Sequence, residues 1–369
     1  MDRRIVLGLL VAAVAPPAAA QAPAGLVSVQ VAGHTVQVPA GFAVDVYAEG
    51  LRGARFMALA PDGTPYLSLT RSGKVVELPD ANGDGRADTV ITVAQGLDLP
   101  HGLAFRGDTL WVAENDKVVR LAPGSATPEV VVPNLPGRGG HFTRTIVFGP
   151  DDKLYVSVGS SCNICDESDP RRAAILRFNL DGSGGEIFAH GLRNSVGIAF
   201  DPATGELWGT NNDRDNLGDD LPPDRINIVR RGLNYGWPQC YLPGKNNPEY
   251  PTADCSRVEG PAIAFQAHSA PLGIAFSTGT QFPAAYRGGA FVAYHGSWNR
   301  TVPTGYKVVY VRQESGRPVA ISDFLTGFLP DPKAPPWARP VGLLVLPDGS
   351  LLVSDDTGGY VFRVHYVGR

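Results

Sequence analysis

TIVFGPDDKLYVSV, from Thr145 to Val158, consists of an apolar run, a Pro-Asp-Asp turn and a second run of alternating aromatic and β-branched residues. Two such runs around a turn that offers Pro, Asp or Gly read as a β-hairpin. The unit recurs as FMALAPDGTPYLSL from Phe56, GLAFRGDTLWVAE from Gly102, GIAFDPATGELWGT from Gly197, GIAFSTGTQFPAAYRGGAFVAY from Gly273 and GLLVLPDGSLLVSD from Gly342. Early copies start roughly 40–50 residues apart, the length of a four-stranded blade. Six copies in series predict an all-β fold, a six-bladed β-propeller; a β-sandwich of repeated hairpins fits a serial array less well. The Pro-, Asn- and Asp-rich stretches at 160–172, 211–225, 234–262 and 326–340 read as loops inserted in this array.

The rest of the composition agrees. Gly 44 and Pro 32 in 369 residues, with 18% charged and 43% hydrophobic, describe a turn-rich globular chain. A net charge of −4 without a dense Lys/Arg block argues against a nucleic-acid or anionic-membrane partner and leaves a small molecule as the natural ligand. Residues 1–20, with Arg3 and Arg4, an apolar run from Ile5 to Val14 and Ala18-Ala19-Ala20, have the order of a secretory signal peptide. The expected organisation is that signal, an N-terminal extension over 21–40 and a propeller over 41–369, in a periplasmic or secreted protein. Cys162, Cys165, Cys240 and Cys255 are even in number and closely spaced in couples. Local disulfides are the simplest of three connectivities in an oxidising compartment, with a metal or redox CxxC as the alternative for Cys162 and Cys165.

Aligning the six copies brings the residues just upstream of each first strand to one face of the disc. They are Arg55, His101, His141 with Arg144, Arg193 with Asn194, His268, and Arg339. This set predicts a concave site for an anionic ligand, with imidazoles for proton transfer. The loop NNDRDNLGDDLPPDRIN from Asn211, with Asp213, Asp215, Asp219, Asp220 and Asp224, offers oxygens for a hard cation near the same face, or else is a solvated acidic loop. DANGDGRAD places Asp80, Asn82, Asp84, the Arg86 carbonyl and Asp88 in an EF-hand-like order for a structural calcium, the alternative being a metal-free Asx-rich turn.

The runs GGHFTRTIVFGPDDKLYVSVGSS, AILRFNLDGSG, GLRNSVGIAFDPATGELW, DDLPPDRINIVRRGLNYGWP and RPVGLLVLPDGSLLVSDDTGGYVFRV, over roughly 40–366, resemble the glucose/sorbosone dehydrogenase family. SSCNIC, NDRDNLGDDLPPD and HGSWNR bring the chain closest to its sorbosone-dehydrogenase-like branch. The resemblance implies an exported six-bladed enzyme that binds pyrroloquinoline quinone with Ca²⁺, oxidises a sugar or sugar aldehyde, and passes electrons to an external acceptor such as a cytochrome or quinone. It implies His141 as catalytic base, titrating near neutrality. His101, Arg193, Asn194, Asn299, Arg300 and Arg339 would contact the cofactor. Asp213 and Arg214, with Asp215 adjacent, would hold the catalytic calcium. Two departures stand out. Where the family has an Asp behind the catalytic His, this chain has Ser160-Ser161, with Asp166 or Glu167 as substitutes; where it has the first of two basic residues before the last blade, this chain has Trp337. A calcium-dependent lactonase and a non-catalytic propeller are the competing functions; the first would hold its metal in the channel with several carboxylates and Asn, where the inner-strand positions here are basic.

Overall fold

The computed structural model describes residues 25–125 and 127–368, so the signal peptide read over 1–20 lies outside the described residues. Each hairpin of the repeat is extended outward by two more strands into a four-stranded antiparallel sheet, and there are six such sheets. Blade 1 spans 54–95, blade 2 103–132, blade 3 146–190, blade 4 198–264 and blade 5 271–325. Blade 6 takes three strands from 340–366 and its outermost strand, Phe42–Ala48, from the beginning of the chain. Val364 pairs with Val44 and Tyr366 with Phe42, which fastens the ring. First strands of consecutive blades are neighbours all the way round, including blade 6 to blade 1.

Local chemistry explains the hairpins. In blade 3 the register Ile146↔Val156 and Phe148↔Leu154 leaves Pro150-Asp151-Asp152 as the turn. Asp152 sits at φ 57, and Gly63 and Gly349 take the same left-handed region in the copies that end in Asp-Gly. The second strands are buried on both faces, as Leu154–Val158 and Leu351–Asp355 show. The core therefore lies between blades: Trp111 of blade 2 packs with Ile146 of blade 3, Leu207 of blade 4 with Ile175 of blade 3, and Val353 of blade 6 with Phe291 of blade 5.

Two features hold the first strands close. The glycine at the start of several copies allows backbones to touch: a Cβ on Gly342 would lie 2.3 Å from the Arg55 carbonyl and 3.1 Å from Phe56 Cα. Buried hydroxyls from the second strands of blades 1, 4 and 6 then stitch those blades to the next. Ser68 Oγ donates to His101 O at 2.8 Å, and Thr210 Oγ1 to Leu272 O at 2.9 Å. Ser354 Oγ donates to Arg55 O.

The segment ahead of the closing strand is a hairpin, Leu26–Val31 with His34–Pro39, whose Val36 and Val38 are fully buried in an aromatic cluster with Phe42, Phe282 and Phe324. Gln37 exchanges two backbone hydrogen bonds with Thr326. Trp337 stacks on His34 at 4.1 Å and packs against Phe328 and Phe362, so the position where the family has a basic residue is here part of the core.

Candidate functional site

A cavity of about 510 Å³ opens where the starts of the first strands meet. That is within the range of roughly 300–1,000 Å³ typical of small-molecule sites. Of the residues aligned from the sequence, Arg55, His141, Arg193, Asn194, His268 and Arg339 line it, together with Asp213, Asp215, Asp224 and Asn299. His101 and Arg144 do not. His101 is fully buried, with its ring against Phe56 at 4.3 Å and Nε2 at 3.4 Å from Arg55 Nη2. A guanidinium only donates, so Nε2 accepts and Nδ1–H is left for the Arg144 carbonyl or Thr145 Oγ1, both at 3.3 Å. Burial, then Arg55, holds this imidazole well below its usual pKa. His101 is thus a neutral strut beneath the cavity and not among its lining residues. Arg144 bonds the carbonyls of Pro136, His141 and Thr143, clamping the loop that carries His141.

Ser160 supplies what the missing Asp does not. His141 Nδ1 lies 3.0 Å from the Ser160 carbonyl and 3.1 Å from Ser160 Oγ. The hydroxyl spends its own proton on Cys162 O at 2.7 Å, so it accepts from the imidazole. Both contacts fix the proton on Nδ1 and leave the lone pair on Nε2. Burial, then Arg193, pushes His141 down to about 3, far from the neutral titration expected of it. These surroundings favour the uncharged ring. Gly159 is required beside it, since a Cβ there would lie 2.6 Å from His141 Cβ and 2.7 Å from Asn194 Oδ1. Neither proposed substitute supports the ring: Glu167 binds Ser161 N and Oγ, and Asp166 accepts from Tyr250. Both cysteine couples are disulfides, Cys162–Cys165 and Cys240–Cys255, so the CxxC sulfurs hold no metal. The first of them shapes the loop whose Asn163 braces Arg193 through O and Oδ1 at 3.1 and 3.0 Å.

Charge on the lining is uneven. Arg55 is paired with Asp356 at 2.9 Å and Arg193 with Asp215 at 3.0 Å. Arg339 spends Nε and Nη2 on the carbonyls of His295 and Gly296 and has no carboxylate partner among the described residues; Arg71 has none either. Arg71 lies on the short 3₁₀ turn Thr70–Ser72 after the second strand of blade 1, outside the aligned positions. These two cations fit a ligand with carboxylates. Arg300, by contrast, turns away to Asp219 O and Asp220, tying the 297–304 loop to the 218–221 loop. Phe142 and Trp298, 39% and 75% exposed, flank the mouth.

Hard oxygens gather on the other side. Asp224 is buried, accepts from Asp213 N and Ala270 N, and is pushed up to about 7 by burial. Asn299 donates to Asp215 Oδ1 at 2.8 Å while its own Oδ1 is buried without a donor. The Asp213 carbonyl takes a 2.7 Å bond from Arg193, and the Arg214 side chain turns to Glu249, leaving only backbone near the cavity. Surplus negative charge and an orphaned amide oxygen suit a hard cation. The 80–88 loop is different: Asp80, Asn82, Asp84 and Asp88 accept from its own amides, at Asp84, Gly85, Arg86 and Ala81. Among the described residues, no three carboxylates or imidazoles converge within ligand distance of one another.

A family model described as TrAA12-like matches residues 36–367. An uncharacterized protein of Borreliella burgdorferi is 33% identical over 357 residues, spanning 90% of this chain and 91% of its own length. The pyrroloquinoline quinone-dependent pyranose dehydrogenase of Coprinopsis cinerea is 28% identical over 90% of this chain; the match spans 54% of that enzyme, about half its length. The holo form of its PQQ domain superposes with a TM-score of 0.78 at 27% identity, covering 90% of this chain and 97% of that one. The calcium structure of a Trichoderma reesei family AA12 enzyme, at 24% identity and TM-score 0.79 over 92% and 98% of the two chains, shares the fold.

Proposed function

Because the chain belongs to the TrAA12-like family, we propose that it is a pyrroloquinoline-quinone-dependent oxidoreductase that oxidises a sugar or sugar aldehyde of the aldose or sorbosone type. The observation that carries this reading is a neutral, oriented imidazole and, on the same cavity, two arginines without a carboxylate partner among the described residues. Arg71 and Arg339 would hold the carboxylates of the quinone, with Arg193 and Asn194 beside it. Asp224, Asn299 Oδ1 and the backbone of Asp213–Asp215 would hold Ca²⁺. When bound, the quinone supplies a hydride acceptor and the calcium polarises it.

The chain's own part is positional and acid–base. His141 Nε2 takes the proton of the sugar hydroxyl as the hydride leaves the same carbon, and the Nδ1 contacts to Ser160 keep the lone pair in place. Low basicity keeps the imidazole unprotonated before the substrate arrives. The Phe142 and Trp298 rings give the sugar an apolar face at the rim. Electrons then pass to an external acceptor, a cytochrome or quinone, and the two disulfides suit a periplasmic or secreted location. The 80–88 loop is kept as a second, structural calcium site, whose side chains would have to exchange amide hydrogen bonds for the ion.

Reconstitution of the purified protein with pyrroloquinoline quinone and Ca²⁺, followed by dye reduction over a panel of sugars, tests the reading. Absence of quinone binding would end it. Full activity in His141→Ala would remove only the assigned base.

A further inference from the structure

A second imidazole shares the cavity and is held by a carboxylate. His295 follows the second strand of blade 5, and its Nε2 lies 2.9 Å from Asp356 Oδ1. Asp356 follows the second strand of blade 6, and its Oδ2 accepts from Arg55 Nη1 at 2.9 Å. Burial alone would raise this carboxyl, but the His295 and Arg55 contacts outweigh it and hold Asp356 below the usual carboxylate range. The carboxylate has no proton to give, so Nε2 carries the ring proton and Nδ1 the lone pair. No hydrogen bond reaches Nδ1 from the described residues, although the ring is part of the cavity wall and 17% exposed. Arg339 fastens the backbone on either side through His295 O and Gly296 O, at 2.9 and 2.8 Å.

An oriented acceptor without a partner in a polar cavity discriminates: a ligand hydroxyl satisfies it, and an analogue lacking that hydroxyl leaves it unpaired. His295 follows a strand of blade 5 and Asp356 a strand of blade 6, whereas His141 precedes blade 3, so the pair stands neither on the blade that carries His141 nor on one next to it in the ring. The hydroxyl that meets Nδ1 is therefore not the one that loses its proton to His141. Resting on the sugar oxidation proposed above, we propose that His295, oriented by Asp356, is a specificity-determining residue whose Nδ1 receives a second hydroxyl of the substrate, favouring polyhydroxylated sugars over simple alcohols and aldehydes.

The test uses the reconstituted holoenzyme, an aldopyranose and its monodeoxy analogues. Quinone binding is followed separately by absorbance titration. Wild type should lose about tenfold or more in kcat/KM on one analogue. His295→Phe should erase that discrimination, His295→Asn, which keeps a polar atom near the Nδ1 position, should restore it in part, and both should bind the quinone as wild type does. Equal use of all analogues by wild type, or an equal loss on all of them in His295→Phe, overturns the proposal. A wild type that binds no quinone overturns the functional reading instead. The imidazole is then tested by ¹⁵N NMR: an unprotonated Nδ1 whose signal shifts on adding the aldopyranose supports the pair, and a protonated or unresponsive Nδ1 overturns it.

Discussion

Ser160→Ala probes how the proposed base is held. In the native protein Nδ1 of His141 has two acceptors on Ser160, the carbonyl at 3.0 Å and the hydroxyl at 3.1 Å. Alanine deletes the second and keeps the first, so the tautomer survives while its orientation loosens. A neutral hydrogen bond is worth about 0.5–1.5 kcal/mol, or about two- to twelvefold in rate. With the carbonyl still in place the lower part of that range applies, and kcat should fall about two- to fivefold with KM unchanged. Stopped-flow reduction of the reconstituted enzyme at saturating sugar isolates the step. The same traces taken from roughly pH 5 to 8 should show no acid limb, because His141 is pushed down to about 3 by burial and Arg193. A loss above about a hundredfold, or an acid limb centred near the ordinary imidazole value of about 6.5, would refute the account of how this base is tuned.

Arg339→Gln and Arg71→Gln should each weaken quinone binding by about ten- to a hundredfold, as expected when a charge-assisted hydrogen bond is lost; titration calorimetry reads this without turnover, and unchanged affinity in both would remove them from the cofactor site. Burial holds His141 at about 3 and His295 at about 4. Below about pH 6.5 the unfolded chain takes up protons that the fold refuses, and stability should fall toward pH 4 by up to about 1.4 kcal/mol per pH unit for each group; a flat denaturation midpoint over that window would contradict it. Asp224 has the opposite sign, since a carboxyl pushed up to about 7 stabilises when protonated and costs stability as pH rises through that value. Calcium should therefore raise the Tm more at pH 8 than at pH 5, and an equal effect at both would exclude Asp224 from the site. Gly342→Ala should cost about 3 kcal/mol or more in chemical denaturation, because the new methyl meets the backbone of blade 1 on a side that cannot relax; a neutral result would mean that the first strands are less tightly packed than the distances imply.

The blades were readable because their signal is periodic and local: each pairs an apolar alternation with a turn whose left-handed residue is Gly or Asp, as at Gly63, Asp152 and Gly349. The same alignment found six cavity residues, since a position upstream of a first strand is fixed by the ring. It misplaced His101 and Arg144, whose positions share the face but whose side chains found partners beneath it. Arg300 was misplaced for a similar reason, as two acidic side loops were near enough to capture it. Arg71, His295 and Asp356 were not legible. They follow second strands, where the loop length varies from blade to blade and no repeat marks the residue that returns to the channel. Ser160 could have been found by asking which side chain beside His141 can accept a hydrogen bond, since a hydroxyl oxygen can do this where a carboxylate is absent.

The fastening of blade 6 has a consequence for how the molecule is made. Phe42–Ala48 leaves the ribosome ahead of every other blade strand, yet its partner Val361–Tyr366 emerges only after the other five blades. Until that partner emerges the ring is an open arc with two bare sheet edges, the kind of surface that pairs with a neighbouring chain. Circular permutants that link Val367 to Gly25 and open the chain in an exposed blade loop would bring both strands onto one stretch of chain while keeping the Leu26–Pro39 hairpin, and should yield more soluble protein on refolding at high concentration.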